Sequence, residues 1–353
     1  MKRLRVGIIG QGRSGYGIHV TSLQRMPDQY VVAAVADPIE GRCDDAVSAC
    51  GCDGYTDYKA LLRRDDLDLV VNSTPSHLHV PISLEIMDAG HNVLCEKPLA
   101  RKASEVDRLI AKSEETGKLL AIYQQSRFAP YFRQVKKVID SGDLGQVFLV
   151  KIAFNSFSRR WDWQTMQDFN GGNLLNTGPH PLDQALQIFG TDVMPKVTCN
   201  MERGNYAGDA EGHVKILLQG DGRPTIDIEI SDCCAYPKYT YQVYGMNGGL
   251  VGDMDHIDWK YFKPSEAPEI VPMPDPLPGR GWCTEELKWY EESWDYAANE
   301  SPGLFLDMAQ EFYTKLYDTV TGSASLVVTP EQIRRLTEVV EECHRQNHFC
   351  KAS

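Results

Sequence analysis

The sequence holds no apolar run of membrane-spanning length among its 353 residues. It has no lysine- or arginine-rich block, and its net charge is −13. A nucleic-acid or anionic-membrane partner would pull that balance the other way. The acidic excess favours solubility and leaves the nature of any pocket open. Zinc-ligand spacing is also missing. The ten cysteines are scattered, and Cys50-Gly51-Cys52 and Cys233-Cys234 are the only close pairs. No metal is expected, and the thiols are expected to be reduced and mostly buried. No secretory leader is evident, because Met1-Lys2-Arg3 runs straight into the short stretch Leu4–Ile9. A cytoplasmic protein is the expectation. Internal repeats and low-complexity tails are absent as well. What is left is the composition of an ordinary soluble globular chain, long enough for two domains.

The first 125 residues alternate short apolar runs with helical stretches. Strands are expected at Leu4–Ile9, Tyr30–Ala36, Leu67–Asn72, Asn92–Cys95 and Leu119–Tyr123. Helices are expected at about 15–28, Asp44–Cys50, Asp57–Arg63, Pro81–Ala89 and Ala103–Thr116. This order predicts an α/β domain, a doubly wound parallel sheet of Rossmann type that binds ligands at the carboxyl ends of its strands. Beyond about residue 145 the pattern changes. Phe148, Val150, Ile152 and Phe154 alternate with other residues, as do Val214, Ile216 and Leu218, and then Ile226, Ile228 and Ile230. Period-two patterning predicts antiparallel strands with one buried face. Lys263–Gly279, with six prolines, is expected to be an extended loop. Glu285–Glu292, Asp307–Val320 and Glu331–Gln346 are expected to be helices. The predicted division is therefore 1–125, a dinucleotide-binding domain, and 126–353, an α+β domain around a large, mostly antiparallel open sheet.

The richest stretch is Gly10-Gln11-Gly12-Arg13-Ser14-Gly15, directly after the first strand. Asp37 follows 22 positions after Gly15, at the end of the second strand. The first glycine allows a tight turn, the second lets backbone N–H groups approach a pyrophosphate, and the third lets helix and strand pack closely. A carboxylate at Asp37 accepts from a ribose diol and repels a 2′-phosphate, so NAD is expected over NADP. Arg42, five residues on, is the cation placed to soften that choice, and Arg13, inside the glycine loop, is placed to stack near the adenine or meet phosphate.

Two further elements carry chemistry. Glu96-Lys97-Pro98 follows a strand, where a lysine meets a ligand at the sheet's carboxyl edge. In Gly171–Asp183, the residues Asn176, His180 and Asp183 fall at i, i+4 and i+7, one face of a helix. Pro179 and Pro181 predict a break near Gly178 and a helix from about Pro179. A histidine among polar neighbours is suited to proton transfer. Read alone, His180 is equally a hydrogen-bonded structural residue, and Glu96-Lys97 a surface ion pair.

Taken in order, these motifs resemble the Gfo/Idh/MocA family, the glucose–fructose oxidoreductase, inositol dehydrogenase and rhizopine-catabolism oxidoreductases. The resemblance rests on Gly10–Gly15, Asp37, Thr74-Pro75-Ser76-His77-Leu78-His79 and Glu96-Lys97-Pro98. It continues through Arg127-Phe128-Ala129-Pro130, Trp163-Gln164 and the Gly171–Asp183 segment. It implies an NAD(P)-dependent dehydrogenase that moves a hydride between a carbinol carbon of a sugar, polyol or sugar derivative and nicotinamide. The family's catalytic lysine maps to Lys97, its proton-relaying histidine to His180, and a substrate-binding aspartate to Asp183. Substrate contacts are also implied at Asn176 and Trp163. Cofactor contacts are implied at Gly10, Gly12, Arg13, Ser14, Gly15, Asp37, Thr74, Pro75, His79, Glu96, Lys97 and Gln125. Where the family has an aspartate four residues before the histidine, this chain has Asn176, which cannot ionise. Similar proteins assemble as homodimers or homotetramers, which implies the same here. Two other activities use the same parts: redox-assisted elimination or glycoside cleavage with retained NAD, and a non-catalytic NAD-binding sugar sensor. Among Trp161, Trp163, Tyr236, Tyr239 and Trp282, all able to stack on a sugar, Trp163 is singled out by its motif position.

Overall fold

The computed structural model describes residues 2–275, 279, 281–297 and 303–347. A six-stranded parallel sheet comes first. Its strands are β1 (Leu4–Ile9), β2 (Tyr30–Ala36), β3 (Asp53–Tyr55), β4 (Leu69–Asn72), β5 (Val93–Cys95) and β6 (Leu120–Ile122), in the order β3-β2-β1-β4-β5-β6. Helices cover both faces, so β2 and β4 read as near-continuous apolar runs with almost no exposed position. Chain order reverses between β1 and β4, and that crevice is where such sheets take a ligand.

The second sheet has eight strands. They are β7 (Val147–Asn155), β8 (Lys196–Glu202), β9 (His213–Gln219), β10 (Thr225–Ser231), β11 (Tyr241–Gly245), β12 (Gly248–Gly252), β13 (His256–Phe262) and β14 (Trp289–Asp295), ordered β14-β13-β12-β11-β7-β10-β9-β8. The expected alternation is present: Ile226, Ile228 and Ile230 are fully buried, while Asp227 and Glu229 between them face outward. The buried face packs on Leu182, Leu186 and Phe189 of helix Pro179–Phe189.

Three expectations change. β7 and β10 run parallel, Leu149 opposite Thr225 through Asn155 opposite Ser231. The chain between them includes a helix and the β8–β9 hairpin, which returns β10 beside β7 in the same direction. Glu285–Glu292 is not a helix. Trp289–Asp295 pairs antiparallel with β13, where Tyr261 stacks on Tyr290 at 5.5 Å and Lys260 lies opposite Glu291. Cross-strand aromatic pairing outweighs the helical propensity of a Glu/Lys-rich run. The helix expected at 15–28 begins as a π-turn, Gly15–Val20, and ends at Gln24.

The last helices reach back. Helix Leu304–Val320 places Phe312, Tyr313 and Leu316 in the core of the first sheet. Helix Pro330–Gln346 is started by Pro330 and a reciprocal cap between Thr329 and Gln332. It gives Ile333 to the first-sheet side and Leu336, Val339 and Val340 to the second. Among the described residues, no helix is long and apolar enough to cross a membrane.

Candidate active site

A cleft of about 770 Å³ opens along the carboxyl edge of the first sheet, under the loop that carries residues 160–164. Gly10, Gly12, Arg13, Ser14 and Asp37 wall one end. Gly10 has φ +88°, and a Cβ there would stand 2.6 Å from the Ser73 carbonyl oxygen. A Cβ on Gly15 would stand 1.8 Å from the Gly10 carbonyl oxygen. Gly12 differs: nothing lies within 4 Å of its Cβ position except an Arg42 nitrogen at 4.0 Å. The backbone is thus packed shut at Gly10 and Gly15 and bare towards the cleft at Gly12, which fits the approach of a pyrophosphate. The buried Asp37 carboxylate accepts from Gln11 N–H at 2.7 Å and Ile39 N–H at 2.9 Å, and Arg42 stands 3.7 Å away. These bonds fix the carboxylate while leaving lone pairs for a diol. Tyr58 and Asp57 close this end. The residues present therefore fit a bound dinucleotide.

Thr74, Pro75 and His79 form the middle of the wall. Thr74 donates its hydroxyl to Asn72 Oδ1 at 2.7 Å. His79 is buried between two carbonyl oxygens, Pro98 at 2.7 Å and Thr74 at 2.9 Å. Burial, outweighing those bonds, lowers its pKa.

Lys97, Asn176, Trp163, Gln164 and Arg160 gather at the other end. Lys97 Nζ donates to the Asn176 carbonyl at 2.7 Å. Its surroundings lower the pKa, first by desolvation and then through Arg13 and Arg160, against the opposing pull of Glu96. Glu96 sits behind it. Burial alone would raise that carboxyl, but the hydrogen bond and charge of His19, with Lys97 and His79, bring it down to about 2. His19 is fully buried, with Nε2 at 3.2 Å from Glu96 and Nδ1 at 2.6 Å from the Tyr313 hydroxyl. Nε2 therefore faces the ionised Glu96 carboxylate, while Nδ1 reaches Tyr313. The lysine's carboxylate is thereby anchored to helix Leu304–Val320.

Of Asn176, His180 and Asp183, Asn176 alone lines the cleft. A helical turn at Asn173–Asn176 precedes helix Pro179–Phe189, as the prolines require. The turn is held by Glu211, buried beneath it, which accepts from Leu174 N–H at 3.0 Å and whose carboxyl desolvation raises to about 7. Asn176 reaches the cleft. His180 is half-buried near Lys97, with Nδ1 at 3.0 Å from Ser126 Oγ. Desolvation and the Lys97 charge push its pKa down to about 3, so the imidazole is neutral at pH 7. Asp183 does not line the cleft. It is buried and paired through both oxygens with Arg127, with Arg127 Nε at 2.8 Å. Its charge is matched by Arg127. Gln125 is buried and is not part of the cleft wall. Trp161, Tyr236 and Trp282 are at least 83 % exposed and are not among the residues that line the cleft. Arg160, His19 and Ser126 were not found from the sequence, and Gln164 was seen as part of the Trp163-Gln164 motif without a role. Arg160 lies three residues before that motif, but nothing local ties His19 to Glu96 or Ser126 to His180. Among the described residues, no group of three or more His, Cys, Asp or Glu is placed to hold a metal.

A Rossmann sheet with this glycine loop and a lysine at the far end of one cleft defines an NAD-binding oxidoreductase. Comparison with known proteins agrees. Residues 4–124 match the oxidoreductase family with NAD-binding Rossmann fold, and residues 132–251 match the GFO/IDH/MocA C-terminal domain. The chain belongs to the Gfo/Idh/MocA family. It is 29 % identical over 205 residues to the scyllo-inositol 2-dehydrogenase (NADP(+)) IolW of Bacillus subtilis, covering 56 % of this chain and 54 % of that one. It is 26 % identical over 263 residues to the 2,7-anhydro-N-acetylneuraminate hydratase of Mediterraneibacter gnavus, covering 72 % of this chain and 68 % of that one. Matches to curated relatives span from about half to nearly all of their length. An NAD-binding protein from Listeria innocua has the same fold, with a TM-score of 0.82, 21 % identity and 100 % of both chains covered.

Proposed function

We propose that this protein is an NAD-dependent dehydrogenase that moves a hydride between a carbinol carbon of a sugar, polyol or sugar derivative and nicotinamide. The observation that carries this reading is the single cleft joining the bare Gly12 backbone and Asp37 to Lys97 Nζ, Asn176 and Trp163. Bound nicotinamide supplies the two-electron hydride acceptor. The chain's own residues do the rest. Gly10–Gly15 and Asp37 hold the dinucleotide, Trp163 offers a ring to a sugar C–H face, and Lys97 and His180 handle the hydroxyl proton. Asn176 and Arg160 position the substrate. A screen of sugars, inositols and glycosides for NADH formation tests the proposal, and no turnover on any class would refute it.

The relative named as a hydratase supports a second use of the same parts: transient oxidation, elimination next to the new carbonyl, and return of the hydride. Release of NADH into solution separates dehydrogenation from this closed cycle.

The choice of NAD rests on Asp37. Asp37→Ala is expected to weaken NAD more than NADP, measured as dissociation constants by fluorescence titration. Equal losses would remove Asp37 from the ribose site.

We also divide the chain functionally at 125/126, with cofactor binding before and substrate binding after. Assembly as a homodimer or homotetramer goes through the open face of the second sheet. At β9 and β10 that face is polar, with Lys215 bridging Asp227 at 2.6 Å and Glu229 at 3.2 Å. Towards β14, Val251 and Trp289 are 42 % and 43 % exposed and add apolar surface. Light scattering at micromolar concentration is expected to give a multiple of the chain mass, and a strictly monomeric mass overturns this. The free cysteines of the described residues support a reducing, cytoplasmic setting.

A further inference from the structure

The proposed reaction places two proton-handling groups beside one hydroxyl, and the hydrogen bonds behind His180 distinguish them. Gln124 is fully buried, and its Nε2 lies 2.7 Å from the Pro179 carbonyl oxygen. That oxygen only accepts, so the amide is fixed with its nitrogen on that side. The second Nε2 hydrogen reaches Ser126 Oγ at 3.3 Å. Ser126 is itself buried, and Oγ lies 3.0 Å from His180 Nδ1. With Gln124 donating to Oγ, the hydroxyl hydrogen needs an acceptor, and among the described residues Nδ1 is the one in reach. A buried hydroxyl hydrogen left unpaired is costly. The arrangement that satisfies every hydrogen has Oγ–H donating to Nδ1, which puts the imidazole proton on Nε2. The backbone here is held as well: Gln184 Nε2 donates to the Ser126 carbonyl at 2.8 Å, and Gln184 Oε1 accepts from Tyr241 at 2.6 Å. Nδ1 is thus taken, and Nε2 is the nitrogen left for a ligand.

We propose that Ser126 is a positioning residue that holds His180 as the Nε2–H tautomer, so that His180 donates to the reacting oxygen and Lys97 Nζ takes its proton. This rests on the dehydrogenase reading above. In the oxidation direction the hydroxyl O–H bond breaks and an N–H bond forms at Nζ. The carbinol C–H electron pair leaves as hydride to the bound nicotinamide, and His180 keeps its proton throughout. The neighbourhood of Lys97 favours the neutral amine that this needs, and the neutrality of His180 fits a donor role.

The test is a nitrogen-15 histidine spectrum of the full chain with NAD bound, with the His180 signals identified by their loss in His180→Asn. The wild type is expected to show an unprotonated Nδ1 and a protonated Nε2. Ser126→Ala is expected to shift that site towards a mixture of tautomers. It should also lower kcat roughly tenfold, about the worth of one hydrogen bond, with KM and NAD affinity held. Ser126→Thr should restore both readouts. A wild-type proton on Nδ1, or a spectrum unchanged in Ser126→Ala, overturns the proposal. If the spectra behave as expected while no sugar or polyol yields NADH, the tautomer assignment stands. The dehydrogenase reading, and with it the role of Lys97, then falls.

Discussion

Lys97→Ala is expected to lower turnover about 10²–10⁴-fold, the usual cost of removing a general acid–base group, with little change in NAD affinity. The size follows from where the ammonium sits. Nζ is tied to the Asn176 carbonyl at 2.7 Å, at the other end of the cleft from Asp37 and the glycine loop proposed above to hold the dinucleotide. Desolvation with Arg13 and Arg160 favours the neutral form, and the Glu96 carboxylate behind limits the effect. A lysine balanced in this way exchanges a proton more readily than one in water. His180→Ala is expected to cost about 10²-fold, the scale of losing one preorganised donor to a reacting oxygen. Both are read as kcat on a confirmed substrate, beside NAD titration. Near-normal turnover in both variants would make the constellation structural and favour the sugar-sensor alternative.

How much of this was legible depended on how local each feature is. Gly10, Gly12, Asp37, Thr74 and Lys97 each sit at the end of a parallel strand. Once the strands are recognised, the sheet brings those ends to one edge without further information. Asn176 and Trp163 reach the same cleft because their motifs place them on the elements that cover it. Asp183 is placed by a contact of the opposite kind. Helical spacing put it on the face of His180, but Arg127, 56 residues earlier in sequence, captures it, and no pattern in the chain announces that contact. His19 and Tyr313 were invisible in the same way, since 294 residues separate the two partners of one hydrogen bond. The edge strand Trp289–Asp295 was missed because Glu and Lys around it mimic an exposed helix, while its stabilisation comes from β13 across the sheet. Long-range pairing, not local propensity, decided each of these cases.

The Arg127–Asp183 pair carries the largest expected effect on stability. Both side chains are nearly excluded from water, at 9 % and 3 % exposure, and the guanidinium meets the carboxylate through two nitrogens. Arg127 Nη1 also donates to Gln332 Oε1 at 2.6 Å, next to the cap of helix Pro330–Gln346. Removing one partner leaves the other as an uncompensated buried charge, which typically costs about 3–5 kcal/mol. Arg127→Ala is therefore expected to lower the melting temperature by on the order of 10 °C in calorimetry. The loss should be largely recovered when Asp183→Leu is added to Arg127→Met, because the buried charge is then gone from both sides. The same pair decides what Asp183 does. If it binds substrate, Asp183→Asn raises KM and leaves the melting temperature near that of the wild type. If it is structural, as its geometry indicates, Asp183→Asn lowers the melting temperature, and the surviving folded enzyme keeps its KM.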